Sequence, residues 1–258
     1  MMANRGVDFI MGIIIFIYGL VIGSFLNLCI YRIPNNESIS YPPSHCTSCG
    51  NKIKWYDLIP VISYIILKGR CRFCNEKISV MYPLIEAFTG ILFVSLYYKY
   101  GLSFYFFKYA VFVSTLIVIG MIDLKTTDVY FNTIVFGIIT GIAFTLLKFH
   151  NNIILSNILG AAFSAGIIAL IVILTKGMGW GDVEICFVSG LYLGFKLSII
   201  MLFLSFVLGA IVGIVLIVLK IKSRKDFIPF GPFISIASIF TVFWGEKMIN
   251  LYINKLML

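Results

Sequence analysis

Outside one polar segment, residues 32–81, this chain is a succession of apolar runs. Each is about as long as the hydrocarbon core of a bilayer is thick, and crossing that core takes roughly 20 apolar residues wound as a helix. Lipid offers no partner to an unpaired backbone amide, so helices are the structure such runs must adopt. Eight runs can be marked, at about 8–31, 82–99, 103–122, 130–148, 153–175, 183–198, 199–220 and 229–253. The sixth is short and its turn into the seventh is tight, so seven is the alternative count. Mean hydropathy is +1.04 and only 12% of residues are charged, which leaves no room for an ordinary soluble domain. The expected fold is an all-α polytopic membrane protein of about eight helices. Its expected parts are a first transmembrane helix (1–31), a small polar insertion (32–81) and a membrane core (82–258). The first run continues through Gly23-Ser-Phe-Leu-Asn-Leu-Cys-Ile-Tyr31 with no small-residue cleavage site, so it reads as a retained anchor.

The net charge of +9 encodes orientation. Thirteen of the 20 basic residues, at 32, 52, 54, 68, 70, 72, 77, 125, 176, 220, 222, 224 and 225, stand in or at the edge of alternate loops, and the other seven are scattered over the tails, the opposite loops and the outer parts of the runs. Those alternate loops face the cytoplasm by the positive-inside bias, where Lys and Arg meet anionic headgroups. A nucleic-acid partner is not implied.

Within the polar segment, Cys46-Thr-Ser-Cys49 and Cys71-Arg-Phe-Cys74 form a C-x2-C…C-x2-C pattern. Such a turn places two thiolates on one metal, and four thiolates complete a tetrahedral zinc site. The halves also repeat: Cys46-Thr-Ser-Cys-Gly-Asn-Lys-Ile53 parallels Cys71-Arg-Phe-Cys-Asn-Glu-Lys-Ile78, as in two knuckles of a zinc ribbon. Lys52, Arg70, Arg72 and Lys77 would offset the negative charge of the centre. Two disulfides, or a redox-active pair, are the competing readings. The first needs an oxidising compartment and the second a thioredoxin-like context. His45 is a spare ligand beside Cys46; Cys29 and Cys186 fall inside apolar runs and read as packing residues, and His150 as interfacial.

Two aspartates end or begin apolar runs. Asp123 closes Val118-Ile-Gly-Met-Ile-Asp123, and Asp182 closes Gly177-Met-Gly-Trp-Gly-Asp182. A carboxylate at a bilayer boundary is costly and marks a functional site by default. Gly179 and Gly181 remove side-chain bulk, so that an extended substrate can approach, and Asp182 would open the next helix. A glycine-rich turn with a capping Asp is the bland reading, and a nucleotide loop would need a preceding strand. For its partner, Asp123 is preferred over Asp128, which lies five residues on in a polar stretch. Glu86, after Tyr82-Pro83, is a further acid inside a run, able to bond within the bundle, assist the aspartates or bind a substrate amine.

Taken in order, these segments resemble the type IV prepilin peptidases, membrane aspartyl proteases of the GxGD class. The resemblance rests on Gly23-Ser-Phe-Leu-Asn27, Tyr31-Arg-Ile-Pro34, Pro42-Pro-Ser-His-Cys46, Trp55-Tyr-Asp-Leu-Ile-Pro60, Gly69-Arg-Cys71, Tyr82-Pro-Leu-Ile-Glu86, Ile122-Asp-Leu124, the run ending at Asp182, and Pro229-Phe-Gly-Pro232. It implies Asp123 and Asp182 as the catalytic pair of a bacterial inner-membrane enzyme with its active site facing the cytoplasm. It implies cleavage of a short basic leader from type IV prepilins or secretion pseudopilins. It also implies methylation of the new N-terminus with S-adenosylmethionine. Two positions depart from the family pattern. Val129-Tyr-Phe-Asn132 lacks the usual proline, and Glu184 stands where a lysine is common. Two alternatives from other classes are an ion-coupled transporter using the acids as relays, and a non-catalytic assembly factor that docks through the cysteine loop.

Overall fold

The computed structural model describes residues 2–148, 151–175, 177–223, 226 and 228–256. His150, Lys176, Arg224 and Lys225 lie outside the described residues. Among those described, eight helices have 14 residues or more. They are α1 (Met2–Arg32), α3 (Met81–Tyr100), α4 (Phe104–Thr126), α5 (Phe131–Leu147), α6 (Asn151–Thr175), α7 (Trp180–Leu193), α8 (Phe195–Val218) and α9 (Gly231–Leu256). The polar segment adds a 3-10 turn, Trp55–Leu58, and the short α2, Ile62–Ile66. No strand forms among the described residues, only two isolated β-bridges.

The number and order of the long helices follow the eight apolar runs, and the helices differ in whether their length and composition suit them to cross a bilayer. Six are long and apolar enough. The 17-residue α5 is shorter, and the 14-residue α7 rises only about 21 Å at 1.5 Å per residue. The expected boundary between the sixth and seventh runs, at 198/199, is corrected to Gly194. That residue adopts φ 78°, a left-handed conformation that breaks the helix, and its N–H donates to Gly190 O at 2.8 Å. Hydropathy does not register this break because the flanking residues are apolar on both sides. The six candidate spans and the shorter apolar α5 together make seven, the alternative count.

The chain divides into two compact units, Met1–Phe106 and Phe107–Leu258. In the first, α1 packs on α3 through glycines. A Cβ on Gly19 would lie 2.8 Å from Gly90 Cα, and one on Gly23 would lie 2.7 Å from Glu86 Cα. Small residues let membrane helices approach this closely. Asn27 Nδ2 then donates to Tyr82 O at 3.0 Å, tying the end of α1 to the start of α3. The buried Arg32 turns the chain into the polar segment by donating to Ser38 O at 2.8 Å and Pro42 O at 2.6 Å.

In the second unit, α7 is the central element, in contact with α5, α6, α8 and α9. Its short length fits that place, since protein rather than lipid surrounds it. Gly160 on α6 and Gly190 on α7 meet backbone to backbone, and Ser164 Oγ donates to Cys186 O at 2.8 Å across the same contact. Tyr192 stacks on Phe112, with centroids 4.5 Å apart, and donates to Thr140 Oγ1 at 2.8 Å. Ser238 Oγ and Ser189 Oγ, 3.1 Å apart, join α9 to α7. Helix α4 is the most enclosed of the candidate spans, with 72% of its apolar window buried, against 17% for α8. Asp123, on α4, and Asp182, on α7, therefore sit on the protein-enclosed helices.

Candidate active site

Asp123 lies in the last turn of α4 and Asp182 in the first turn of α7, and both side chains are buried. They are close enough for the charge of one to act on the other. Helix α7 starts at Gly179, whose extended backbone (φ −86°, ψ 156°) precedes the helical turns. The Gly179 N–H donates to Asp182 Oδ2 at 3.2 Å, so the carboxylate satisfies an amide that the start of a helix leaves unpaired. Asp182 thus sits where the helix dipole favours negative charge.

Asp123 meets the start of another helix. Gly231, the first residue of α9, comes so near that a Cβ there would lie 2.5 Å from Asp123 Oδ2 and 2.8 Å from Ile185 Cδ1. One glycine therefore gathers α4, α7 and α9 around Asp123. Asp123 Oδ2 is buried and makes no hydrogen bond of good geometry among the described residues, although the Gly231 N–H lies close enough to act on the carboxyl. Such an atom in a folded protein asks for a functional reason. Gly231 belongs to Pro229-Phe-Gly-Pro232, which the sequence shows only as a helix start; its contact with Asp123 was not legible there.

Gly181 answers a steric demand from the α4–α5 connection. A Cβ on it would lie 2.5 Å from Val129 Cγ2 and 2.7 Å from Val129 Cβ. The stretch that lacks the family's proline is thus packed directly on the glycine before Asp182. Asp128, the rejected candidate, is exposed, with its backbone N–H bonded to Thr126 Oγ1 at 3.3 Å. Glu184 is also exposed, since two residues along a helix turn a side chain about 200° away from Asp182.

Glu86 lies in the first unit. It is buried, and its Oε2 accepts the Val61 N–H at 2.7 Å. Val61 has φ 62°, an uncommon left-handed conformation for a β-branched residue, and caps the N-terminus of α2. Glu86 thereby ties α3 to the polar segment through a backbone amide.

The four loop cysteines can hold a metal. Their Sγ atoms all lie within 4.8 Å of one another, none is in a disulfide, and Cys46 Sγ is 3.8 Å from Cys74 Sγ. A tetrahedral centre with Zn–S bonds of about 2.3 Å separates its sulfurs by about 3.8 Å, so the donor set fits zinc. The two halves are folded alike. Gly50 N–H donates to Cys46 O at 2.8 Å, and Asn75 N–H to Cys71 O at 3.0 Å. Gly50 and Asn75 both take positive φ, 71° and 59°. Bridges between His45 and Lys52 and between Arg70 and Lys77 close the knuckles. Arg72 is engaged with Asp57 through contacts of 2.9 and 2.6 Å, and this guanidinium holds the Asp57 carboxyl below its ordinary range.

Comparison with known proteins matches both halves of this architecture. The bacterial peptidase A24 N-terminal domain matches residues 17–100, and the type IV leader peptidase family matches residues 110–214. The prepilin leader peptidase/N-methyltransferase of Bacillus subtilis (strain 168) is 33% identical over 246 residues, covering 93% of this chain and 97% of that protein. The protein of the same name from Pseudomonas putida is 28% identical and covers 90% of each chain. That of Myxococcus xanthus (strain DK1622) is 32% identical over 211 residues, 80% of this chain and 63% of its own. No solved structure matches the chain. The names of these relatives lend no support to a transporter or a non-catalytic docking factor. The chain belongs to the type IV leader peptidase family.

Proposed function

We propose that this protein is a multi-pass membrane aspartyl endopeptidase that removes the short basic leader of type IV prepilins or pseudopilins and methylates the new N-terminus. The observation that carries the peptidase reading is the pair of buried carboxylates on separate helices, Asp123 and Asp182, with the charge of Asp123 felt at Asp182. Two acids sharing one proton supply both halves of amide hydrolysis. The ionised member takes a proton from water as it attacks the scissile carbonyl. The protonated member hydrogen-bonds the carbonyl oxygen and then delivers its proton to the leaving amine. The pair titrates as a unit. Asp123 Oδ2, which makes no hydrogen bond of good geometry although the Gly231 amide lies beside it, is the oxygen best placed for that exchange.

The pair faces the cytoplasm in this reading. Asp123 ends α4 just before Lys125, and Asp182 begins α7, on loops that carry the basic bias. Zinc held by Cys46, Cys49, Cys71 and Cys74 would act structurally, since four protein ligands leave it no open position. S-adenosylmethionine is the methyl donor that this reading requires.

The test is the mass of a prepilin substrate after incubation with the protein in membranes or detergent. Wild type removes the leader and adds one methyl group. Asp123→Asn and Asp182→Asn each reduce cleavage by on the order of 100-fold or more. Retained cleavage in either variant, shown to be membrane-inserted, removes that residue from the pair.

A further inference from the structure

Cleavage is assigned to the second unit, which leaves the methyl donor without a place. Within the first unit, a cavity of about 440 Å³ opens between the facing ends of α1 and α3 and the cysteine loop. Its size falls within the range of small-molecule sites, roughly 300–1,000 Å³. Glu86 lines it and is buried. The partners of Glu86 are the Val61 N–H and the Ser24 side chain, both neutral dipoles. Among the described residues no Lys, Arg or His pairs with it. A carboxylate at a cavity wall with no cation of its own is suited to receive a cation from a ligand.

The rest of the wall narrows the choice of cation. Tyr31, Tyr64 and Tyr82 line the cavity, aromatic residues of the kind on which a purine can stack. Arg32 and Arg72 in the same wall are already engaged with Ser38 O, Pro42 O and Asp57, and the proposed zinc ligands Cys46 and Cys71 border it. Lys77, exposed on the rim, offers a positive partner for a ligand carboxylate. A ligand with an aromatic base, a fixed cationic centre and an amino-acid carboxylate meets all three.

We propose that this cavity binds S-adenosylmethionine, with Glu86 as the counter-charge to its sulfonium. The inference rests on the methylation reading above and gives that activity a location. In the transfer, the lone pair of the unprotonated amine forms the new N–C bond, and the S–C bond breaks with its electron pair staying on sulfur. The positive charge passes from sulfur to the methylated nitrogen, so a carboxylate beside the path is matched to a cation before and after.

The test is equilibrium binding of radiolabelled S-adenosylmethionine to the full-length protein in detergent, with S-adenosylhomocysteine as the thioether comparator and no peptide present. Wild type binds about one equivalent and prefers the sulfonium. Glu86→Gln, which keeps an oxygen for the Val61 N–H, weakens the sulfonium ligand by about tenfold or more and the thioether by less than about twofold. Tyr31→Ala weakens both alike, and ultraviolet cross-linking places the label between residues 24 and 86. Metal content reports whether each variant keeps its cysteine loop folded. Saturable wild-type binding that Glu86→Gln leaves unchanged, or reduces equally for both ligands, overturns the role of Glu86. A label on residues 107–258 overturns the location. Either result leaves methylation itself standing. No saturable binding, together with an unmethylated product mass, sinks this inference and the methylation reading together.

Discussion

Val129 and Gly181 are in contact so close that the glycine has no substitute: any side chain at 181 would begin 2.5 Å from Val129 Cγ2. Fifty-two positions apart in sequence, they bind the connection after Asp123 to the turn before Asp182. Gly181→Ala should therefore displace one segment from the other. A shift of about 1 Å in such a site costs on the order of 100-fold in rate. Val129→Ala clears the conflict, so the Gly181→Ala/Val129→Ala double variant should recover much of the leader processing. A double variant as inactive as the single one would show that contact with Val129 is not what requires a glycine at 181.

Replacing Cys46 or Cys74 by Ser leaves three thiolates where four converge within 4.8 Å. The expected result is loss of about one equivalent of zinc by elemental analysis, with destabilisation of the first unit, because binding free energy at such a site is folding free energy. Full metal content in both variants would remove the cysteines as ligands.

The Asp57–Arg72 pair gives the cysteine loop a dependence on acid. The guanidinium lowers the carboxyl's pKa in the folded state. A depressed carboxyl stabilises above its unfolded pKa of about 3.9, and that contribution is lost as pH falls through the still lower folded value. Thermal unfolding followed between about pH 7 and pH 3 should show Asp57→Asn lowering the midpoint at neutral pH and flattening its fall on the acid side. The effect is small, since Arg72 is 40% exposed and water screens the pair. Parallel curves for wild type and variant would deny the pair any role.

Asp128→Asn and Glu184→Lys test the other side of the assignment. Both residues are exposed. Substitutions of this kind stay within about 0.5 kcal/mol, a factor of roughly two, so kcat/KM for leader removal should stay close to wild type. A loss at Asp128 as deep as that expected at Asp123 would move the catalytic pair.

The helical segments were legible because lipid imposes one rule on every run: its backbone must bond to itself. The knuckles were legible because Cys46–Ile53 and Cys71–Ile78 repeat one spacing, and the structure repeats the bonds and the positive φ at Gly50 and Asn75. The break at Gly194 was not, because hydropathy averages across a single residue whose φ, rather than polarity, ends the helix. Nor were the contacts of Val129 with Gly181 or of Gly231 with Asp123, which join segments far apart in the chain. A glycine in a sequence states that space is needed but never what fills it. Glu86 was visible as an acid in an apolar run, while its partner, Val61, lies in the loop and contributes only a backbone amide.

The enclosure of α7 has a consequence for the membranes in which the protein can work. A helix in contact with lipid must fit the local acyl-chain length, tilting or thinning the bilayer where it does not. Helix α7, walled by α5, α6, α8 and α9, is released from that constraint, and the largely buried α4 is nearly so. The depth of Asp182 is accordingly set by the glycine contacts of α6 and α7, while the lipid-facing α8 meets any mismatch with the bilayer. The carboxylates should then keep their spacing when the surrounding lipids lengthen or shorten, and the proposed site should not need to re-form in bilayers of differing thickness.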